Sequence, residues 1–185
     1  RSGAPASVCV ETANFAREHG LEVALRLSAD VWADLGSASG DAAFAIAAAS
    51  TGAERQETHL IIDLQDQVST PPNLSVAAVR GAMALLDEPN AWSTLSLLGT
   101  SMPASTAEVG KDSAAELPRS EWGMWKSLRD SRGRTMSFGD YAIQSTDALS
   151  TFNPLYMQTA AQLRYTVSNS WYVARGASTR REGFG

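Results

Sequence analysis

Two carboxylates stand inside otherwise apolar runs: Asp63 in HLIIDL and Asp140 in SFGDYAI. Separated carboxylates of this kind can hold Mg2+ or serve as a general acid and base, although no spacing rule links these two. Arg26 occupies a similar place in VALRL, and Tyr141 sets a phenol beside Asp140. Leaving a charge unpaired in an apolar strand costs several kcal/mol, so each of these groups must be paired, hydrated or bound. Arg26 and Asp63 then form a buried ion pair lining a pocket, or both point into solvent. Asp140 is a catalytic candidate, or it orients a loop or pairs with an arginine. Arg164 and Arg175 fall in two short runs near the end of the chain. Facing inward together they make an anion-binding pair, because guanidinium matches phosphate or carboxylate bidentately. The catalytic candidates are therefore Asp63 and Asp140, and the ligand-binding candidates are Arg26, Tyr141, Arg164 and Arg175.

Other residues invite plainer readings. Glu121 opens a helix, where an acid complements the dipole. Trp122 and Trp125 share a face and read as core. His19 and His59 have no partnered nucleophile, and Cys9 lies near a frayed end. The phosphate-loop, dinucleotide, nucleophile-elbow and zincin motifs are all absent, which argues against those enzyme classes.

The elements that must position the candidates follow from periodicity. Apolar runs predict parallel strands near 23–27, 59–64, 93–98 and 137–143. Between them, helices are predicted near 41–54 with Asp41 as N-cap, near 73–87 after Pro71-Pro72, and near 119–130 from Pro118-Arg119-Ser120-Glu121. Strand–helix alternation implies parallel strands joined by crossovers, with ligands taken at the carboxyl ends of the strands. Arg26, Asp63, Asp140, Arg164 and Arg175 are expected to converge there. Residues 100–117 are polar and read as a long loop. Gln162–Val167 and Trp171–Arg175 alternate in period two across Ser168-Asn169-Ser170, the pattern of a β-hairpin.

Composition sets the outer limits. The 185 residues suit one soluble α/β domain, 1–185, and 44% hydrophobic with 19% charged side chains is ordinary for a globular core. No run approaches the roughly 18 apolar residues of a membrane span, and the first residues lack the apolar core of a secretion signal. A lone cysteine cannot form an intrachain disulfide, and with two histidines there is no Cys/His zinc cluster, so no metal site is assigned and a cytoplasmic setting fits. Residues 119–185 carry nine basic against five acidic side chains. A nucleic-acid surface would need those arginines on one continuous face; their scatter in sequence favours solvated arginines instead.

Four segments in register carry a family resemblance: RSEWGMW at 119–125, FGDYAIQ at 138–144, QLRYTVSNSWYVARG at 162–176, and the GFG ending at 183–185. Their order and spacing resemble the carboxyl-terminal half of the beta family proteins, named for a protein called beta in a T-even bacteriophage. The resemblance implies the carboxyl-terminal part of a TIM-like β/α barrel ending in a β-hairpin. Its open edge would be covered by a missing amino-terminal half or by a second copy. It also implies occurrence in bacteria and phages and a binding role in their conflict, without fixing a reaction. Two alternatives stay open. One is a barrel enzyme acting on a phosphorylated or otherwise anionic small molecule through Asp63, Asp140, Arg26, Arg164 and Arg175; the other is a nucleic-acid binder.

Overall fold

The structure is a computed structural model that describes residues 6–28, 37–50, 52–68, 71–86, 89–130, 135–141 and 160–178. Helix α1 (Ala6–Glu18) leads into β1 (Val23–Leu27), followed by α2 (Ala38–Ser50), β2 (Thr58–Asp63), α3 (Asn73–Leu85) and β3 (Thr94–Leu98). Then come β4 (Ser113–Pro118), α4 (Ser120–Leu128), β5 (Ser137–Gly139), β6 (Ala160–Val167) and β7 (Ser170–Ser178).

The apolar runs assemble into one parallel sheet in the order β1-β2-β3-β5, with β6, β7 and β4 forming a separate antiparallel sheet ordered β4-β7-β6. Register settles what each face carries. Leu25 pairs with Leu60 and Leu27 with Ile62, while Leu60 pairs with Leu95 and Ile62 with Leu97. Side chains alternate along a strand, so these six leucines and isoleucines share one face. All six are buried with Val79 and Met83 of α3 and Met124 and Leu128 of α4, and Phe44, Ala47 and Ala48 of α2 pack against them. Three helices therefore cover one face of the sheet. The opposite face carries Ala24, Arg26, His59, Ile61, Asp63, Thr94, Ser96 and Leu98 by the same alternation.

In α3 the buried residues Ser75, Val79, Ala82 and Met83 recur at helical spacing. Strand β3 runs into Gly99, where a Cβ would come within 2.9 Å of Val68 Cγ2. The Thr100 amide then donates to Gln65 O at 2.7 Å, tying the ends of β2 and β3 together. The antiparallel sheet has a small core of its own: Met102, Val109, Trp171 and Val173.

The expected strands, helices and hairpin form, but the helix expected at 41–54 spans Ala38–Ser50, so Asp41 lies in its first turn and the Ser37 hydroxyl accepts the Gly40 amide at 3.0 Å at its start. The stretch 100–117, read as loop, contains most of β4, which pairs with β7 from Ser113↔Arg175 to Pro118↔Ser170. The local sequence SAAELP has little β character, and only a partner more than 50 residues away makes it a strand. The first residues, read as a frayed end, hold α1, whose Ala13 and Ala16 are buried. β5 spans three residues; positions 142–143 of the predicted strand, and the GFG ending, lie outside the described residues. Among the described residues the parallel sheet is open, with β1 and β5 at its edges, and no closed TIM-like barrel is formed.

Leu60 at the centre of this core is fully buried, whereas Leu163 on β6 is exposed. Leu60→Ala should lower unfolding free energy by about 2–5 kcal/mol in urea titration. Leu163→Ala should change it by no more than about 0.5 kcal/mol.

Candidate functional site

The alternation that buries Leu25 and Leu27 turns Arg26 to the face opposite α2, α3 and α4, one residue from the end of β1. Asp63, the last residue of β2, points to the same face and is wholly buried. Arg26 Nε donates to Asp63 Oδ2 at 2.5 Å, and its Nη2 forms an ion pair with the same oxygen. Two residues beyond β5, the Tyr141 hydroxyl donates to Asp63 Oδ2 at 2.6 Å and accepts from Arg26 Nη2 at 2.8 Å. The remaining oxygen, Oδ1, accepts the Gln65 amide at 2.8 Å, which a left-handed backbone at Gln65 (φ 55°) directs inward. A buried carboxylate is tolerable only with such matching.

The electrostatics follow from this packing. Burial, and then Asp63 as acceptor and negative neighbour, push the Tyr141 phenol up to about 12. Burial pulls against the Arg26 cation, but Asp63 and Tyr141 outweigh it and hold the guanidinium above its ordinary value. Half of the Arg26 side chain stays exposed (50%). Among the described residues its Nη1 has no hydrogen-bond acceptor.

A second charged group stands at the same edge. Arg119 Nη2 donates to Asp140 Oδ2 at 2.7 Å, and the guanidinium lies over the rings of Trp122, Phe138 and Trp171 at 5.2, 5.2 and 5.1 Å. Glu121 is wholly buried. Its Oε2 accepts the Ser101 amide at 3.0 Å and the Ser101 hydroxyl. Arg119 Nε approaches Glu121 Oε1 to 3.3 Å, close enough for charge attraction but outside hydrogen-bond geometry, so both atoms lack a hydrogen bond. Glu121 does lie in the first turn of α4, yet its main contact is to the chain leaving β3.

Of the six candidates, the structure brings Arg26, Asp63 and Tyr141 together and sets Asp140 beside them in sequence, held by Arg119. Arg164 and Arg175 belong to the antiparallel sheet. Arg164 donates to Gln162 Oε1 at 3.0 and 2.7 Å, and desolvation lowers its pKa. Arg175 Nη1 donates to the carbonyls of Ala107 and Val109, both at 3.1 Å. Gln162 is opposite Arg175, so the two arginines share a face, each committed to a local partner. Sequence reasoning missed Arg119, Ser101 and Gln65. Arg119 carried one usable sign, a cation directly between a proline and a helix start. His59 is held by two partners, its Nδ1 lying 2.8 Å from Thr94 Oγ1 and its Nε2 2.7 Å from Glu22 Oε2.

A metal would have to displace arginines here, since Asp63 already receives Arg26, Tyr141 and the Gln65 amide and Asp140 receives Arg119. Among the described residues no three His, Cys, Asp or Glu side chains group as metal ligands.

The Beta protein family model matches residues 2–185. The chain belongs to the Beta protein family. No curated protein and no solved structure matches it. In this Beta protein no helix among the described residues is long and apolar enough to cross a membrane.

Removing the phenol isolates its contribution. Tyr141→Phe should cost about 1.5–3 kcal/mol, the usual worth of a hydrogen bond to a charged group. The folded state holds the phenolic proton more tightly than the unfolded chain, whose value is near 10.0. The added stability is therefore complete below pH 10 and is lost as pH rises towards about 12. Urea titrations of parent and Tyr141→Phe across that window should converge.

Proposed function

We propose that this Beta protein is a binding protein that takes an anionic group, phosphate or carboxylate, of a small molecule at the carboxyl edge of its parallel sheet, with Arg26 as the contact. The observation that carries the proposal is the state of Arg26. Asp63 and Tyr141 hold Nε and Nη2 of its guanidinium, while Nη1 has no hydrogen bond among the described residues and half the side chain meets solvent. A guanidinium held this way has already lost its rotamer freedom, so an oxyanion gains hydrogen bonds at little ordering cost. The location suits the role, because ligands of parallel sheets lie outside the carboxyl ends of the strands.

Binding is favoured over proton transfer by the same contacts. Both Asp63 oxygens are occupied, and a phenol pushed up to about 12 stays protonated at neutral pH. Such a phenol is not poised as an acid or base near pH 7. We also read the parallel sheet as part of a β/α barrel, supported by the placement of α2, α3 and α4 on a single face. The polar face bearing Arg26 and Asp63 would then be interior.

Inorganic phosphate titrated calorimetrically into the parent should bind saturably. Arg26→Lys keeps a cation against Asp63 but loses the outward fork, and should raise Kd on the order of tenfold, equivalent to about 1.4 kcal/mol. Arg164→Ala should leave Kd unchanged. Absence of saturable binding in the parent, or loss of binding through Arg164 instead, overturns the proposal.

A further inference from the structure

The ladder that carries Tyr141 towards Arg26 stops short of it. β5 pairs with β3 from Ser96↔Ser137 to Leu98↔Gly139. Asp140 and Tyr141 lie beyond that ladder, and their side chains take over where its pairing ends.

Alternation along the strand divides these residues between two faces. Phe138 is opposite Leu97, a buried residue of the helix-covered core, and its ring meets Trp122 and Trp125 of α4. Asp140, two residues on, turns to the same side and accepts a hydrogen bond from Arg119 at the start of α4. Tyr141 turns to the other side, where its hydroxyl meets Asp63 and Arg26. A one-residue slip would exchange the two faces and carry the phenol away from Asp63.

Arg119 grips both members of the helix-side pair. Its guanidinium lies 5.2 Å from the Phe138 ring centroid and donates to Asp140 Oδ2 at 2.7 Å. Arg119 is itself fixed. Trp122 and Trp171 face the same guanidinium, and its amide donates to Asn169 O at 3.0 Å. Buried Glu121 attracts the Nε end at 3.3 Å. Stacking on rings while bonding a carboxylate asks for a planar, delocalised cation, which lysine does not supply. Gly139 completes the arrangement. A Cβ there would meet Leu98 Cδ1 at 3.0 Å, so the chain passes closely over the end of β3 on its way to Asp63.

We propose that Arg119 is a positioning residue of the anion site: by holding Phe138 and Asp140 on the helix side, it sets the Tyr141 hydroxyl on Asp63 and Arg26. The proposal rests on the reading of Arg26 as the ligand contact. Only 11% of the Arg119 side chain is exposed, and it acts through Tyr141 without touching the ligand. Affinity at Arg26 thereby depends on the antiparallel sheet, which supplies Trp171 and the Asn169 carbonyl.

Asp140→Ala cuts the link while leaving the Arg119–Glu121 pair in place. Exchange of the Arg26 Nε–H, followed by NMR without ligand, should quicken on the order of tenfold in Asp140→Ala and in Tyr141→Phe. That is the scale of one hydrogen bond to a charged group. The double variant should exchange no faster than either single one, because both remove the same contact. The Kd for inorganic phosphate should rise in the same non-additive pattern. Asp140→Asn keeps an oxygen for Arg119 Nη2 and should return both readouts towards the parent. Should Asp140→Ala lose its circular dichroism, Arg119→Lys, which keeps the charge and loses the fork, carries the same test. Effects that add in full, or Arg26 exchange unchanged by Asp140→Ala, overturn the proposal and leave Arg119 a structural cross-link. Exchange needs no ligand, so a parent that fails to bind phosphate sinks the anion-binding reading alone, and the placement of Tyr141 is still judged by the exchange cycle.

Discussion

Two carboxylates, Asp63 and Glu121, are wholly buried at one edge of the parallel sheet, and the arrangement of that edge follows from satisfying them. A buried carboxylate without partners costs more than any single core contact supplies. Asp63 recruits Arg26 from β1, the Gln65 amide from its own exit loop, and Tyr141 from beyond β5. β5 does not adjoin β2, so Tyr141 reaches over the end of β3 to arrive there. Three strands that share no single ladder are thereby fixed relative to one another. Glu121 does the same for the chain leaving β3, which it binds through Ser101. Arg119 extends the network to the antiparallel sheet by lying over Trp171 of β7 while its amide donates to Asn169 O.

The parts of this arrangement that sequence exposes are those whose cause is local. VALRL, THLIID and TLSLL are apolar runs of strand length, and the charge within each of the first two is visible as an anomaly; both anomalies, Arg26 and Asp63, meet in the structure. The hairpin is legible because β6 and β7 are separated by a short turn with Ser168 in the left-handed region. β4 is illegible because its strand character comes from β7, far along the chain. α1 carries weak amphipathic patterning, and its buried face is two alanines. Arg119 and Arg175 differ little by sequence, yet one is caged by three rings and the other binds loop carbonyls. Side-chain placement of that kind depends on how the two sheets sit together, which no local pattern encodes.

Charge balance also separates what this edge can do from what it cannot. Each carboxylate there is already answered by a guanidinium, hydroxyl or amide, and the proposed binding role rests on that arrangement. What it leaves without a hydrogen bond among the described residues is Arg26 Nη1, on a side chain held by the network behind it. Recognition of an oxyanion uses that feature without disturbing Asp63, whereas metal binding or acid–base chemistry would require dismantling the network first.

The central claim is that Arg26, locked by Asp63, is the group presented to ligand. Guanidinium proton–nitrogen NMR tests it most directly, since each arginine Nε–H gives its own signal. The Arg26 Nε–H, bonded to Asp63, should be protected from exchange, and its guanidinium signals should shift as inorganic phosphate is added while those of Arg164 and Arg175 stay in place. An Arg26 Nε–H that exchanges as fast as a free side chain, or phosphate shifts confined to Arg164 and Arg175, would contradict it.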